Sequence, residues 1–337
     1  MLIKKLFKAL IIPLIILLTT RLAYAITLIP GGETIGIVVD YEGIIISGYY
    51  DFEIQGRTVN PKNKDVQIGD FIIAINQVPV NQSSDLIEQV GISLRNNQEV
   101  VLTINRGNTI ITRQIEVYFD ESTNSFKTGL YIRDSLTGIG TVTFYDPTSK
   151  TYAALGHKMS DLELDYDISI DAGSIFESYV VNVTKSQNNN PGEKIATIDK
   201  TQLLGSVRIN SDFGVYGQYS ANNFNDETKT IEIATRDEVK LGPATILTVI
   251  DGTTVESFEI EIIELKKQSQ PETKGIVFKV TDDRLLNITN GIIQGMSGSP
   301  IIQNEKLIGS VTHVILNDVD YGYGLYIEWM LEENMRQ

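Results

Sequence analysis

The sequence contains no cysteine in its 337 residues. A disulfide framework, a cysteine nucleophile and a metal site built from thiolates are therefore excluded. The absence of cysteine does not argue against export, because an exported domain with a large enough hydrophobic core does not need disulfides.

Histidine is almost as scarce, since His157 and His313 are the only two. Neither belongs to a His-Glu-x-x-His motif, so a zinc protease is a poor interpretation. We predict no metal and no other cofactor. The search for an imidazole that acts as a general base is confined to these two residues.

Basic residues are outnumbered, with 28 Lys and Arg against 43 Asp and Glu and a net charge of −15. An acidic chain repels the phosphates of nucleic acids, so we predict no nucleic-acid partner. A hydrophobic content of 42% fits a globular protein with packed cores. The length allows two domains of ordinary size.

The N-terminal 25 residues have the pattern of a targeting segment. Three lysines precede an uncharged, mostly apolar run of 12 residues at 9–20, and Ala-Tyr-Ala follows at 23–25. This length is typical of a cleaved signal peptide, whereas a full membrane span needs about 20 residues. A retained membrane anchor and a buried N-terminal helix are the alternatives. As a signal or an anchor, the segment places the rest of the chain outside the cytoplasm, because the basic flank stays inside.

Residues 27–119 contain several short strand patterns and one helix. The stretch "IGDFIIAINQVPV", followed by a helix to about Leu94 and the strand "VVLTINR", resembles a PDZ domain. In such domains a loop of pattern x-apolar-Gly-apolar binds the C-terminal carboxylate of a peptide, which pairs with the adjacent strand edge. The resemblance assigns this role to "TIGI", which is Thr34, Ile35, Gly36 and Ile37. The alternative is a small β module without a ligand.

Residues 126–337 are predicted to be nearly all β. Residues 258–262, "FEIEI", alternate strictly between apolar and acidic, which indicates a strand with one solvated face. Similar runs recur between turn residues, and their spacing favours a β-barrel or sandwich of about 200 residues. Helical periodicity is limited to residues 327–335.

The stretch "GMSGSP", residues 295–300, is the candidate for a nucleophile loop. It does not match the Gly-x-Ser-x-Gly elbow, because Ser299 stands where glycine is required. It matches Gly-x-Ser-Gly-x-Pro of trypsin-like peptidases at all four fixed positions. The glycines permit a tight turn in which the N–H groups of Gly295 and Ser297 can converge on an oxyanion. Ser297 is the predicted nucleophile, with Ser299 as the alternative.

The residue before the nucleophile differs from the common trypsin-like pattern. An aspartate there pairs with a new N-terminus when a zymogen is activated, and Met296 cannot form this pair. We therefore do not expect activation by that route.

The base and the acid are harder to assign from the residues. His157 follows a small-residue strand at a strand-to-loop junction, which suits an exposed base, whereas His313 lies inside an apolar strand. His157 is the preferred base and His313 the alternative. Asp161 and Asp282 are both candidates for the acid that orients the base, and the residues alone do not decide between them.

Motifs along nearly the whole chain resemble the stage IV sporulation protein B peptidase family. They include "ALGHKMSD", "NNNPGEK", "VTDDRLL" and "GIIQGMSGSPIIQNEKLIGSVTHVILND". The resemblance implies that His157, Asp282 and Ser297 form the catalytic triad, in the order of trypsin-like enzymes. The predicted fold is mainly β, with an N-terminal targeting or anchor segment (1–25), a PDZ domain (27–119) and a trypsin-like β-barrel peptidase domain (126–337).

The resemblance also implies a biological role. Such peptidases are exported across the inner forespore membrane into the intermembrane space of the developing spore. There they cleave themselves near the N-terminus, and they cleave a membrane-bound inhibitor of an intramembrane metalloprotease that matures a sigma factor. The expected partners are therefore protein substrates, including this chain itself, and the membrane through the N-terminal segment. The alternative is an exported, catalytically inactive PDZ scaffold that binds the peptide tail of a partner.

Overall fold

The computed structural model describes residues 26–160, 170–220 and 229–336. β-Strands dominate these residues. The described helices are α1 (Ser83–Arg95), α2 (Asp283–Thr289), α3 (Ile327–Asn334) and a short 3-10 helix (Pro61–Lys64). The chain is thus mainly β, as the sequence predicts.

The strands of the N-terminal half are β1 (Thr27–Pro30), β2 (Thr34–Tyr49), β3 (Phe52–Ile54), β4 (Arg57–Val59), β5 (Phe71–Ile75), β6 (Val78–Pro79), β7 (Val100–Arg106), β8 (Thr109–Ile115), β9 (Tyr118–Asp120), β10 (Ser125–Lys127), β11 (Leu130–Asp146) and β12 (Thr151–Ala154). Those of the C-terminal half are β13 (Ile170–Val183), β14 (Lys194–Val207), β15 (Ile209–Ser211), β16 (Gly214–Gln218), β17 (Ile231–Glu232), β18 (Gly242–Val249), β19 (Val255–Leu265), β20 (Ile276–Val280), β21 (Pro300–Gln303), β22 (Lys306–Val314) and β23 (Tyr321–Tyr326).

The C-terminal strands close into a barrel in the order β18-β19-β20-β23-β22-β21. In β19 the side chains of Phe258, Ile260 and Ile262 are buried, and the intervening glutamates are exposed, as the alternation of the sequence predicts. Burial of such a side chain contributes roughly 1.5–3 kcal/mol. Helix α3 packs against this barrel with Trp329 buried.

The other large sheet runs in the order β15-β16-β12-β11-β2-β5-β7-β8, with further strands joined at its sides. Strand β2 contributes to two parts of this sheet. Residues 34–41 pair with β11 and β13, whereas Ile44 and Ile45 pair with β5 of the PDZ unit. The two ends of the PDZ unit meet, because Tyr49 is the register partner of Leu130. The PDZ unit is therefore inserted into the β2–β11 hairpin.

The PDZ unit has a hydrophobic core of its own. Helix α1 covers it with Leu86 and Val90, which pack on the buried residues of β5 and β7. The start of α1 is fixed by Asp85, whose carboxylate accepts a hydrogen bond from the N–H of Gln82 at 3.1 Å. This core is separate from the one that surrounds the first half of β2.

Residues 1–25, which carry the predicted targeting segment, lie outside the described residues. Within the part of the chain that the structure describes, no helix is long and apolar enough to cross a membrane.

Candidate active site

A cavity of about 1390 Å³ lies where the large sheet meets the barrel. It is lined by β11, the loop after β12, the loop before β21 and the second half of β22. His157, Ser297 and His313 all line it. The fold thus brings both histidines and the predicted nucleophile to one place, although 140 residues separate His157 from Ser297.

The serine lies in a turn that only glycines permit. Gly295 and Gly298 have φ angles of +90° and +98°, which are strained for other residues. A Cβ on Gly298 would lie 1.9 Å from the carbonyl oxygen of Thr141. The Gly298 N–H donates to the Val311 carbonyl at 2.8 Å, which anchors the turn on β22.

Two N–H groups of this turn have no acceptor in residues 26–160, 170–220 and 229–336. The N–H groups of residues 294, 296, 298 and 299 all donate to backbone carbonyls. Among the hydrogen bonds of the described residues, none has the N–H of Gly295 or of Ser297 as its donor. These are the two groups that the sequence predicts to form an oxyanion hole. Both N–H groups can therefore donate a hydrogen bond to a ligand oxygen.

The structure distinguishes between the two serines. Ser297 is partly exposed and lines the cavity, and its Oγ donates to the Thr312 carbonyl at 3.0 Å. Ser299 is completely buried, and its Oγ has no hydrogen-bond partner among the described residues. A substrate can thus reach Ser297 but not Ser299.

The imidazole of His157 is held by a main-chain group. Its Nδ1 lies 2.8 Å from the carbonyl oxygen of Lys158. Because a carbonyl only accepts, Nδ1 carries the proton and Nε2 keeps its lone pair. This is the tautomer that a general base needs.

Burial keeps both imidazoles neutral. It lowers the pKa of His157, while the bond to the Lys158 carbonyl acts in the opposite direction. The pKa of His313 falls to about 4, mainly because the ring is buried, and in addition because Lys274, and His157 whenever it is protonated, disfavour a positive charge there. Neutral imidazoles can accept a proton at neutral pH.

His313, the alternative base, lies beside His157 with 5.2 Å between the ring centroids. Its Nδ1 is buried and has no hydrogen-bond partner among the described residues. No observed hydrogen bond therefore fixes its tautomer through Nδ1, unlike that of His157. The geometry favours His157 as the base.

Asp282 lies in a different hydrogen-bond network from that of His157, and its predicted role as the acid stays a prediction. It caps the N-terminus of α2, where its side chain accepts hydrogen bonds from the N–H groups of Arg284 and Leu285. The same carboxylate pairs with the Arg284 guanidinium at 2.8 Å and accepts from the Glu259 N–H. In the described residues no hydrogen bond links it to a histidine, and it does not line the cavity. Its capping and ion-pair contacts account for the position of this carboxylate.

The other acid candidate, Asp161, lies outside the described residues. The carboxylates that line the cavity are those of Asp212 and Glu272. The group observed to hold His157 is a backbone carbonyl, which no residue pattern in the sequence could have indicated. Among the described residues, no group of three or more His, Asp or Glu side chains could hold a metal ion.

The structure places the predicted peptide-binding loop of the PDZ domain inside a paired strand. Residues Thr34–Ile37 lie in β2, where they pair with residues 138–141 of β11 on one side and with β13 on the other. Thr34, Ile35 and Ile37 are buried. Both edges of this stretch are occupied, so it has no free edge to offer to a peptide.

Thr141 is a site residue that the sequence pattern missed. Its N–H donates to the Ser297 carbonyl at 3.0 Å, and its Oγ1 donates to the Gly295 carbonyl at 2.7 Å. Thr141 lies 156 residues before Ser297 in the sequence. Only the docking of β11 on the nucleophile loop reveals its contribution.

The family model of SpoIVB peptidase S55 matches residues 124–331, which is more than half of the chain and includes His157, Ser297 and His313. The chain belongs to the SpoIVB peptidase S55 family. It is therefore a serine peptidase, and the cavity with Ser297 is its candidate active site. A PDZ domain model matches residues 55–117 of this S55 peptidase.

Crystal structures of the Rv3671c protease are similar to this S55 peptidase over part of its length. The active form from M. tuberculosis has a TM-score of 0.31 and 16% identity, over 58% of this chain and 72% of that chain. An inactive form has a TM-score of 0.30 and 15% identity, over 59% and 83%. No curated protein gives a significant match. The family assignment rests on the sequence match.

Proposed function

We propose that this S55 peptidase is an exported endopeptidase in which Ser297 is the nucleophile and His157 the general base. The pair of unengaged N–H groups at Gly295 and Ser297 carries this proposal. They are the only two of the turn 294–299 without an acceptor among the described residues, and they lie at Ser297, which lines the cavity.

The reaction follows from these positions. The Ser297 Oγ attacks the carbonyl carbon of the scissile peptide bond, and its proton passes to Nε2 of His157. The carbonyl oxygen becomes an oxyanion, which accepts hydrogen bonds from the two free N–H groups. Collapse of this intermediate transfers the proton to the leaving amine and leaves an ester on Ser297. Water, activated by the same imidazole, then hydrolyses the ester.

The Ser297 hydroxyl has to leave its present hydrogen-bond partner before it can react. The Ser297 Oγ now donates to the Thr312 carbonyl. Turning its χ1 angle to another staggered position releases the hydroxyl from this carbonyl. Bound substrate can shift this equilibrium.

The substrates that we propose are proteins, including this chain itself and a membrane-bound inhibitor of an intramembrane metalloprotease. The family match supports this assignment. A cut after residue 27 would remove part of β1, whose Leu28 is completely buried in the barrel core. Self-cleavage is therefore expected at or before the exposed Ile26.

We further propose that the peptidase acts in sporulation signalling, in the space between the two membranes of the developing spore. The basic and then apolar residues 1–20 support export or membrane attachment. The excess of acidic residues is compatible with an extracytoplasmic location.

A labelling experiment tests the proposed chemistry. A fluorophosphonate probe should label the wild-type protein at Ser297, and mass spectrometry should show trimming near the N-terminus. Ser297→Ala should show neither. A folded wild type that never reacts, even with a protein substrate present, would favour the inactive PDZ scaffold. Equally fast trimming of Ser297→Ala in pure protein would refute self-cleavage.

A further inference from the structure

Lys194, at the start of β14, is a buried amine without an acidic partner. Its side chain is only 4% exposed. Among the ion pairs of the described residues, none includes it. Its Nζ instead lies 3.1, 3.2 and 2.8 Å from the hydroxyls of Thr34, Thr141 and Thr248.

The three hydroxyls match the chemistry of an ammonium group. Protonated lysine has three N–H donors and no acceptor, so each donor has one threonine oxygen. The threonines come from β2, β11 and β18, so the amine joins the large sheet to the barrel. Burial of a cation without a counter-ion lowers the pKa of Lys194 to about 7. Ionisable groups whose pKa values are strongly shifted by burial are concentrated at functional sites, so we looked for a role of Lys194 in the site.

The backbone and stem of Lys194 contact the oxyanion turn directly. Its N–H donates to the Gln294 carbonyl at 2.9 Å. Its Cβ, Cγ and Cδ pack on Gly295, where an added Cβ would lie only 3.0–3.1 Å from them. Thr141, which holds the amine, also donates its hydroxyl proton to the Gly295 carbonyl.

These contacts restrain the peptide planes of the turn. In a trans peptide the C=O and N–H bonds point in opposite directions. The bond from the Lys194 N–H to the Gln294 carbonyl therefore aims the Gly295 N–H away from β14. The bonds from Thr141 to the Gly295 and Ser297 carbonyls hold the two planes on either side of the one that carries the Ser297 N–H.

We propose that Lys194 and Thr141 are positioning residues that hold the Gly295 and Ser297 N–H groups in the orientation that binds an oxyanion, a role that rests on the proposed function of Ser297. Trypsin-like enzymes commonly stabilise this turn through an aspartate before the serine. Here Met296 occupies that position and is completely buried. The buried amine and its threonines supply the missing polar anchor from the opposite side of the turn.

The test compares matched variants by the kinetics of fluorophosphonate labelling of the full chain. Lys194→Met removes the amine but keeps a stem of similar length. Lys200→Met makes the same change at an exposed position of the same strand. Thr141→Val removes the hydroxyl at nearly constant volume, and Thr141→Ser retains it. Circular dichroism and thermal unfolding report whether each variant is folded.

We expect Lys194→Met and Thr141→Val to lower the maximal labelling rate about 10- to 100-fold, somewhat less than complete removal of one oxyanion donor. The probe concentration for half-maximal rate should change less than about twofold, because the anchors act on the transition state. Thr141→Ser should recover most of the rate, and Lys200→Met should match the wild type.

Three results would overturn the inference. The first is a wild-type labelling rate in folded Lys194→Met or Thr141→Val. The second is a loss seen only as weaker probe binding. The third is a Thr141→Ser variant as slow as Thr141→Val. If Lys194→Met does not fold, the labelling rates of the two Thr141 variants decide whether the inference holds. A wild type that is not labelled refutes the proposed function itself, and with it this role of Lys194.

Discussion

Ser297 and Ser299 are two residues apart, yet their surroundings differ in the way that catalysis requires. Ser297 faces the cavity beside two free N–H groups, and Ser299 is completely buried. His157 lines the same cavity with its Nδ1 proton fixed by a carbonyl. At the residue scale, the candidate active site is distinguished by N–H groups that have no acceptor among the described residues and by an imidazole whose proton is fixed.

The two serines provide the first prediction. Ser297→Ala should abolish fluorophosphonate labelling, because the attacking oxygen is removed. Ser299→Ala should be labelled at close to the wild-type rate, since the Ser299 Oγ has no hydrogen-bond partner to lose within the described part of the chain. In-gel fluorescence of the purified proteins measures both. Labelling that survives in Ser297→Ala and disappears in Ser299→Ala would reverse the assignment.

The pH dependence of labelling is the second prediction. The rate should rise as His157 loses its proton, at a pH below the ordinary pKa of histidine. It should fall again near pH 7, because neutral Lys194 has only two N–H donors for three hydroxyls. Burial is the cause of the Lys194 shift, and no ionisable side chain contributes to it. The alkaline fall should be absent in Lys194→Met.

The second prediction extends to stability, because the shifted pKa of Lys194 also makes the free energy of unfolding depend on pH. The pKa of Lys194 is about 7 in the folded chain and near its usual value of 10.5 when unfolded. Between these values the unfolded chain binds more protons, so the contribution of Lys194 to the free energy of unfolding rises with pH. Urea denaturation at pH 7 and pH 10 should show a smaller rise, or a larger fall, for Lys194→Met than for the wild type. Parallel curves would contradict the assigned pKa.

At the scale of elements, Asp282 takes part in the hydrogen-bond network at the start of helix α2. Its carboxylate caps the helix and pairs with Arg284. Strand β11 acts in a similar way on the catalytic turn, because Thr141 and Thr143 donate to the carbonyls of Gly295 and Gly298. Element ends and edges therefore determine where the polar groups of the site point.

The N-terminal cap of helix α2 gives the third prediction. Asp282→Ala should lower the free energy of unfolding by about 1–2 kcal/mol, the usual range for loss of an N-cap. Asp282→Asn should lose less, because its amide oxygen can still accept from the helix N–H groups. Asp283→Ala, at an exposed position one residue later, is the matched control. Urea denaturation measures all three. A folded, stable Asp282→Asn without activity would show that Asp282 acts in catalysis through a geometry other than this one.

At the scale of the whole molecule, the PDZ unit is an insertion in a hairpin of the peptidase sheet. Residues 34–41 of β2 pair with β11 and β13, so the peptidase region needs a strand that lies outside its own family match. Strand β1 likewise pairs with β11 and β17. The order of domains along the sequence is therefore not their order in space.

This topology gives the fourth prediction. Replacing residues 42–133 by Asn-Gly should close a hairpin in which Asp40 still pairs with Ser135. The product should fold and be labelled at Ser297. A fragment of residues 124–337 should not fold, because it lacks β1 and β2. Circular dichroism and labelling of both proteins test the difference. A folded, reactive 124–337 fragment would show that the shared strand is dispensable.

Much of this organisation could be predicted from the sequence. The alternation in "FEIEI" predicts a strand of the barrel, and "IGDFIIAINQVPV" with the following helix predicts the PDZ unit. The glycines of "GMSGSP" predict a tight turn around Ser297, and with two histidines in the chain the base had few candidates. Each of these inferences depends on local periodicity, on residue type or on a short motif.

Other features depend on contacts between distant parts of the chain. "TIGI" looks like a peptide-binding loop by its letters, but strands β11 and β13 occupy both of its edges. Asp282 resembles a triad acid by its place in a motif, but its hydrogen bonds are those of a helix cap. Lys194 gives no local signal, because its three threonines lie on three different strands.

The sequence by itself determined the β character, the PDZ unit, the glycine turn that is the candidate for the nucleophile loop and the two possible bases. Each of these depends on residue identity within a short window. Only the tertiary structure decided that Thr141 and Lys194 hold the oxyanion turn and that the PDZ unit is inserted into a hairpin. The reason is physical: backbone hydrogen bonds between distant strands depend on how the sheets pack, and any residue with an N–H group can make them.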